Sequence, residues 1–335
     1  MKRSAKVAII VAVCLIVIGL LVGAAVTFFQ SRSRGWQNPF EGGFLNTISG
    51  IESSEYTKRT ETFSAADVKG LELTTISRDV KFVVGDSGEY RITCWENEDR
   101  WFEIELDGRA LKVREKHRSL ALPDSHVADE YRTLLVEVPE NCVPGAIATV
   151  SGDVYLPALK IDGGMTVATT SGDIKIDVGF ELGGDMSLST SSGDLIVKGS
   201  FEGDFDLSTT SGGLRFSGEA ASFKAESVSG DMDLSGSVFA GRTDITTTSG
   251  EVIARGLSVG SLKVHTTSGE VTISGLVSGE IDVDTTSGDV RLTLADPDSF
   301  KYDLKSTSGD HVSPYGTPSG ALCRVRTTSG DIVID

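Results

Sequence analysis

The chain has 335 residues, with 31 Lys and Arg against 48 Asp and Glu, and a net charge of −17. That balance excludes bulk phosphate neutralisation, and hence a general nucleic-acid binder. The 38 glycines occur without a Gly-X-Y triplet, prolines number only 8, and 39% of residues are hydrophobic, so the chain is neither collagen-like nor disordered. Four cysteines are too few for a disulfide-built scaffold at this length.

Residues 1–35 carry Lys2, Arg3, Lys6, Arg32 and Arg34 and no acid. Between these flanks Val7 to Phe29 runs uncharged. As a helix it would reach about 35 Å, enough to cross a hydrocarbon core of ~30 Å. It is longer than the roughly 7–15-residue apolar core of a cleaved signal peptide. The sequence therefore predicts a cytoplasmic tail at 1–6, a single membrane anchor at 7–29 and a stalk at 30–54. The cations on the short side place the N-terminus inside and the acidic bulk outside. Trp36, Phe40 and Phe44 fit an interfacial aromatic belt.

Residues 55–145 are expected to hold a degenerate first rung and a β-rich cap. Leu71, Leu73 and Thr75 precede Ser77-Arg78-Asp79, and Val80 and Phe82 follow. Strands are expected at 90–95, 101–106, 111–114 and 133–138, with hairpin turns at Gly85-Asp86-Ser87-Gly88 and Asp107-Gly108. The stretch 115–130 has no clear period and reads as a loop.

From 146 to 335 a tripeptide recurs. Ser-Gly-Asp, Ser-Gly-Glu or Ser-Gly-Gly begins at Ser151, Ser171, Ser192, Ser211, Ser229, Ser249, Ser268, Ser287, Ser308 and Ser329, with spacings of 18 to 21 residues. A repeat near 20 residues is a solenoid signature. Apolar residues stand six and four positions before the Ser (Met165 and Val167, Ile281 and Val283) and three and five after it (Ile174 and Ile176, Val290 and Leu292). That alternation makes each arm a strand with one inward face. The tripeptide is the corner, where Gly is expected to supply φ > 0. Thr149, Thr169, Thr190, Thr209, Thr247, Thr266, Thr285 and Thr327 fall inward and are expected to form a buried hydroxyl ladder from rung to rung. A third, shorter side carries pairs such as Phe180 with Leu182 and Leu257 with Val259. The fold class is all-β: a β-solenoid of about ten rungs, roughly 50 Å long at ~4.8 Å per rung. The last rung in the chain, 329–335, is expected to be the open end, with Asp331 and Asp335 guarding its edge.

Anchor, degenerate first rung and Thr-Thr-Ser-Gly-Asp rungs at 169–176, 247–254, 266–273, 285–292 and 327–334 together resemble the bacterial putative-adhesin family of β-strand repeat proteins. The resemblance covers roughly residues 60–335. It implies a cell-envelope setting, with possession of an envelope-stress link among some members, and brings no catalytic residues with it.

No chemical motif stands against this reading. Gly256-Leu257-Ser258-Val259-Gly260 matches a nucleophile elbow in letters, but it lies between two rungs with no helix to follow. His117, His126, His265 and His311 have no metal-ligand spacing. Cys94, Cys142 and Cys323 are odd in number; one disulfide among them is left open. The acidic corner column (Asp153, Asp173, Asp194, Asp231, Glu251, Glu270, Asp289, Asp310 and Asp331) reads as turn-capping rather than calcium-binding. An outward Thr column (Thr170, Thr210, Thr248, Thr267, Thr286, Thr307, Thr328) is interrupted as a flat array by its charged neighbours Glu226, His265, Asp284, Lys305 and Arg326. No catalytic, cofactor-binding or metal residue is expected, and no cofactor. The function expected is a non-catalytic, membrane-anchored extracytoplasmic rod in the bacterial cell membrane, adhesin-like or structural. Its expected partners are the lipid bilayer through 7–29, an envelope protein or polysaccharide, and a second copy through the C-terminal rung, but no nucleic acid. The alternative is a β-helix carbohydrate-active enzyme with its sugar site near Trp95, Asp99 and Trp101.

Overall fold

A computed structural model describes residues 56–118, 129–143, 145–314, 316–317 and 319–335. The tail, anchor and stalk expected at 1–54 lie outside the described residues. Among the described residues no helix is long and apolar enough to cross a membrane. They form one 27-stranded sheet wound into a solenoid.

The inward columns read from the sequence are the observed registers. Ile174 pairs with Leu195, Leu195 with Leu214, Leu214 with Met232, Met232 with Val252, and Val252 with Val271, all in parallel. On the other arm Met165 pairs with Met186, Met186 with Phe205, and Phe205 with Phe223. All of these side chains are buried. Each stabilises the rod by about 1.5–3 kcal/mol relative to exposure. Mid-rod, Phe180, Phe201, Phe205, Phe216, Phe223 and Phe239 meet ring to ring, with Phe201 edge-on to Phe205 and Phe223 stacked on Phe239, each pair at 4.4 Å. On the third side Phe180, Leu182, Leu257 and Val259 are buried as expected, whereas Val238 and Val277 face solvent.

The corner works by contacts other than those expected. None of the glycines from Gly152 to Gly288 at the corners has positive φ. Gly is required because successive corners nearly touch: a Cβ at Gly172, Gly193, Gly212, Gly230, Gly250, Gly269 or Gly288 would fall closer than 3.0 Å to the carbonyl of the preceding corner. Positive φ is found instead at the hairpin glycines Gly88 and Gly108 (65° each) and at Gly256 (67°) between rungs. The inward hydroxyls are buried as expected, but they mainly serve their own corner. Thr149, Thr169, Thr190, Thr209, Ser227, Thr247 and Thr266 each accept the amide of the glycine three residues on, at 2.8–3.1 Å. Rung-to-rung hydroxyl contacts are fewer: Thr190 to the Gly172 carbonyl and Thr327 to the Gly288 carbonyl are long, at 3.4 Å, and Ser306 donates to the Gly330 carbonyl at 3.0 Å.

The chain does not stack its rungs in sequence order at either end. The rung of Gly70–Thr74 and Asp79–Val84 lies between two others. On its inner side are Gly145–Ala148 and Val154–Leu156; on its outer side are Ala110–His117 and Thr133–Val138. The chain thus lays down the second rung first, steps outward, then crosses back. Beyond the outer rung the pairing turns antiparallel. Arg100–Asp107 lies on Ala110–His117, Glu89–Glu96 on Thr133–Val138, and Thr57–Ser64 on Glu89–Glu96. All four strands expected in the insertion are present, and Thr57–Ser64 is an additional one. The stretch 115–130 read as a loop is corrected at both ends: 115–117 belong to the strand Ala110–His117, and a short helix, Asp129–Arg132, begins in its last two residues.

The opposite end corrects the expected open edge. Ala321–Ser329 and Ile332–Ile334 are not terminal. They sit between Ile281–Thr285 with Val290–Leu294 on one side and Phe300–Ser308 with His311–Val312 on the other. The outermost rung is therefore the penultimate one in the chain. Both faces of the final rung are hydrogen-bonded: Ser329 N donates to Thr286 O at 3.0 Å and Ile332 N to Asp310 O at 2.9 Å.

Candidate functional site

Arg78 stands where later rungs carry the corner glycine. The sequence between the outer-rung strands Ala110–His117 and Thr133–Val138 contains no Ser-Gly corner, so no corner glycine is there to stack on Arg78. Arg78 is 1% exposed. It lies 3.6 Å from Glu115, donates to the Tyr131 carbonyl, and faces the Tyr56 ring at 5.4 Å. Glu115 occupies the hydroxyl column, opposite Thr75, and accepts the Ile76 amide at 2.5 Å and the Ser77 amide at 3.1 Å. Burial opposes its charge, but His117 at 3.1 Å and those amides outweigh it and hold the carboxyl below its ordinary range. This buried cluster stands at the end of the glycine column, with Arg78 and Glu115 both buried.

The acidic column has a defined chemistry. The carboxylate of Asp79 accepts the amide of Asp153, Asp153 that of Asp173, Asp173 that of Asp194, and Asp194 that of Gly213, at 2.8–2.9 Å. Asp231 does the same for Glu251, Asp289 for Asp331, and Asp331 for Asp310, each at 2.9 Å. One oxygen of each of these carboxylates is thus committed to the next corner in stack order, a charge-assisted bond. Among the described residues no group of three or more His, Cys, Asp and Glu is placed to hold a metal ion.

The remaining sequence candidates fall apart in space or into the core. Ser258 begins a strand, Ser258–Thr266, and the neighbouring Leu257 and Val259 are buried. His265 and His311 are exposed. Cys94, Cys142 and Cys323 are buried free thiols, each pushed up to about 12 by burial. Trp95 packs under Lys58 at 5.6 Å and edge-on to Tyr131 at 6.3 Å, and Trp101 stands on the outlying strand Arg100–Asp107.

Two open grooves lie side by side where the antiparallel region meets the regular rungs, and both include Val84. The larger, about 870 Å³, runs past Asp86, Glu140, Lys160 and Glu181, with Lys160 paired to Glu181 at 3.1 Å. The smaller, about 610 Å³, is lined by Lys81, Phe82, Val83, Val84, Tyr155, Pro157 and Lys175. Neither is lined by Trp95, Asp99 or Trp101. Lys81, Tyr155 and Lys175 form one outward column across three adjacent rungs. The ammonium groups of Lys81 and Lys175 stand 5.9 and 5.2 Å from the Tyr155 ring centre. The Tyr155 hydroxyl donates to Asp177 at 2.6 Å, and this bond raises its pKa. Sequence reasoning missed this trio. Its signal was available in the position four after the corner Ser, which is Lys81, Tyr155 and Lys175 in three stacked rungs.

The chain has no match among curated proteins. One solved structure, titled a "putative cell adhesion protein" from Clostridium sporogenes, aligns over 84% of this chain and 99% of its own at 9% identity and a TM-score of 0.22, a likeness too low to carry an argument. The family model described as Toastrack DUF4097 matches residues 68–335, the whole described solenoid with most of its antiparallel end, and the chain belongs to that family.

Proposed function

We propose that this protein is a non-catalytic rod of the bacterial cell envelope, held in the cell membrane by Val7–Phe29 with its N-terminus cytoplasmic and its solenoid outside. In this reading the solenoid presents side chains to an envelope protein or polysaccharide, as an adhesin-like or structural element. The observation that carries it is the use of the corner acids. A glycosidase needs two carboxylates facing each other across a cleft. Here the acids form a straight ridge, and seven of the corner carboxylates accept neighbouring backbone amides. The rung that offers an open edge to a second copy is the outermost one, 300–312, rather than 329–335.

Protease added to intact cells should remove a tag placed after Asp335. A tag that stays fully protected until the membrane is permeabilised would refute the topology. A zymogram against envelope polysaccharides should show no clearing; a cleared band would restore the enzyme reading.

A further inference from the structure

The smaller groove brings two lysines, an aromatic ring and an apolar floor together. Lys81 and Lys175 are exposed and flank a half-buried Tyr155 on the rungs either side of it. Val83, Val84 and Pro157 complete an apolar floor, with Val84 45% exposed. Asp177 holds the tyrosine hydroxyl at 2.6 Å and fixes the ring. We propose that this groove binds an anionic polysaccharide, with one sugar ring on Tyr155 and acidic groups of the flanking sugars at Lys81 and Lys175. The proposal builds on the reading of the solenoid as a non-catalytic presenting surface.

Three observations select this ligand. Lys175 stands 3.8 Å from Asp177, so the two ammonium groups leave a local excess of one positive charge beside Tyr155; in a chain of net charge −17 that excess favours an anion against a background that repels one. The strand carrying Tyr155 is paired on both sides, to Asp79–Val84 and to Ile174–Leu182. It therefore has no free edge for a peptide to join by strand addition, and recognition must come from side chains. Finally, the lysines stand two strand spacings apart, about 9–10 Å along the rod. A pyranose chain lying along the stack advances about one ring per strand spacing. Alternate acidic rings would then meet the lysines while the ring between them lies on the tyrosine. The groove is open and continues at Val84 into the larger one, which suits a polymer rather than an enclosed small molecule.

The test is titration calorimetry of the full chain in detergent micelles with polygalacturonate, neutral dextran and poly-L-glutamate. Polygalacturonate should bind, more weakly as salt rises, and dextran should not. The double variant Lys81→Gln/Lys175→Gln should weaken binding at least tenfold. Tyr155→Ala should also weaken it at least tenfold, although it removes no charge; Tyr155→Phe, which keeps the ring, should retain most of it. Lys263→Gln, on the other arm of a distant rung, should bind as the parent does. Absence of polygalacturonate binding would overturn the proposal. So would poly-L-glutamate binding as tightly, or Tyr155→Ala binding like the parent, since either makes the site a charge patch with no feature for sugar. Chromatography of the polygalacturonate afterwards separates the two readings. Shortened chains would sink the non-catalytic function while leaving the binding site in place.

Discussion

Gly250→Ala isolates what the corner requires. Gly250 has no positive φ, so alanine meets no backbone penalty of its own there. Its Cβ would nevertheless lie 2.7 Å from the carbonyl carbon of Gly230 and closer still to the oxygen. An ordinary contact between such atoms is about 3.5 Å, so the two rungs must part by the better part of an ångström. They are tied together by the Ser249 amide to Val228 carbonyl bond at 2.9 Å and the Glu251 amide to Asp231 carboxylate bond at 2.9 Å. Overpacking typically costs about 1–3 kcal/mol, and loss of one of these bonds adds about 1 kcal/mol. Gly256→Ala is the contrast. Nothing lies within 4 Å of its added Cβ, but φ is +67°, and the left-handed conformation costs about 1–2 kcal/mol. Gly70→Ala, with open space and no positive φ, should be neutral or slightly stabilising. Because solenoids unfold locally, the assay is amide hydrogen exchange resolved to single rungs. Gly250→Ala should lower protection most at 249–251 and in the corner before it. Gly256→Ala should do so less and elsewhere, and Gly70→Ala hardly at all. If Gly250→Ala proves milder than Gly256→Ala, the corner glycines are not there for close approach and the account given for them is wrong.

Four further outcomes are expected. Glu251→Asp should bring a carboxylate within reach of the Glu270 amide, as Asp231 does for Glu251, and slow exchange of that amide with a gain of about 0.5–1.5 kcal/mol; unchanged exchange would show that side-chain length is not what breaks the ladder. Glu115 has its folded pKa depressed, so its stabilisation is present above the ordinary glutamate range and is lost as pH falls below it. Glu115→Gln should destabilise by up to about 3–5 kcal/mol, because it leaves Arg78 buried beside a neutral partner, and should flatten the acid limb of a pH–melting curve; an unaltered acid limb would remove Glu115 from that role. Calcium at millimolar concentration should leave the melting temperature where EDTA leaves it, and a rise of many degrees would make the acid ridge a metal site. Val333→Pro should destabilise the fold, since Val333 is paired to Arg291 on one side and Val312 on the other, whereas Lys305→Pro, on the outermost strand, should be tolerated far better; equal effects on circular dichroism melts would contradict the rung order.

Most of the regular rod was legible because the period-two columns and the corner tripeptide both report on the same rung. Ile174, Leu195, Leu214 and Met232 could be aligned by counting from Ser, and counting is all that parallel in-register stacking demands. The cause of the corner glycine was not legible. Tight turns and close backbone approach both select glycine, and only coordinates separate φ from the carbonyl of the rung before. Thr57–Ser64 was missed because Phe63 is its only apolar residue, so no period-two apolar pattern marks it. It is an outer strand held by backbone pairing to Glu89–Glu96, and its charges Lys58, Arg59 and Glu61 suit an edge that must not recruit another strand. Tyr155 was overlooked because the sequence was read for its inward columns, whereas a binding face lies in an outward one.

Rung order at the ends was invisible for a physical reason, and one residue nonetheless pointed to it. Every rung offers the same outline and the same columns, so local pairing energies hardly distinguish one neighbour from another. What differs is how much each rung gains from being covered. In the final rung Cys323, Val325, Ile332 and Ile334 are all buried, at 0–2% exposure. In the rung before it Tyr302 and Leu304 are only half-buried, and His311 stands where other rungs carry an aliphatic. Enclosing that histidine between two apolar layers would require desolvating a polar ring without a partner, at a cost of roughly 1–3 kcal/mol by the scale of buried polar groups. Leaving the four aliphatic and thiol side chains of the last rung at the open end would forfeit part of about 1.5–3 kcal/mol each. Both terms favour the weak rung outside and the strong rung inside. The connecting segment between Val312 and Ala321 allows the chain to step back and make that exchange. His311→Val should therefore reduce the preference for the observed order without improving the packing of the rungs beneath. A variant in which His311 becomes Val and Cys323 and Val325 become Ser should shift it towards stacking in sequence order. Cysteine crosslinks read the result: a pair at Asp284 and Arg326, which are partners in the observed register, should close in the parent. If that pair still closes as readily in the triple variant, burial does not set the order of the terminal rungs.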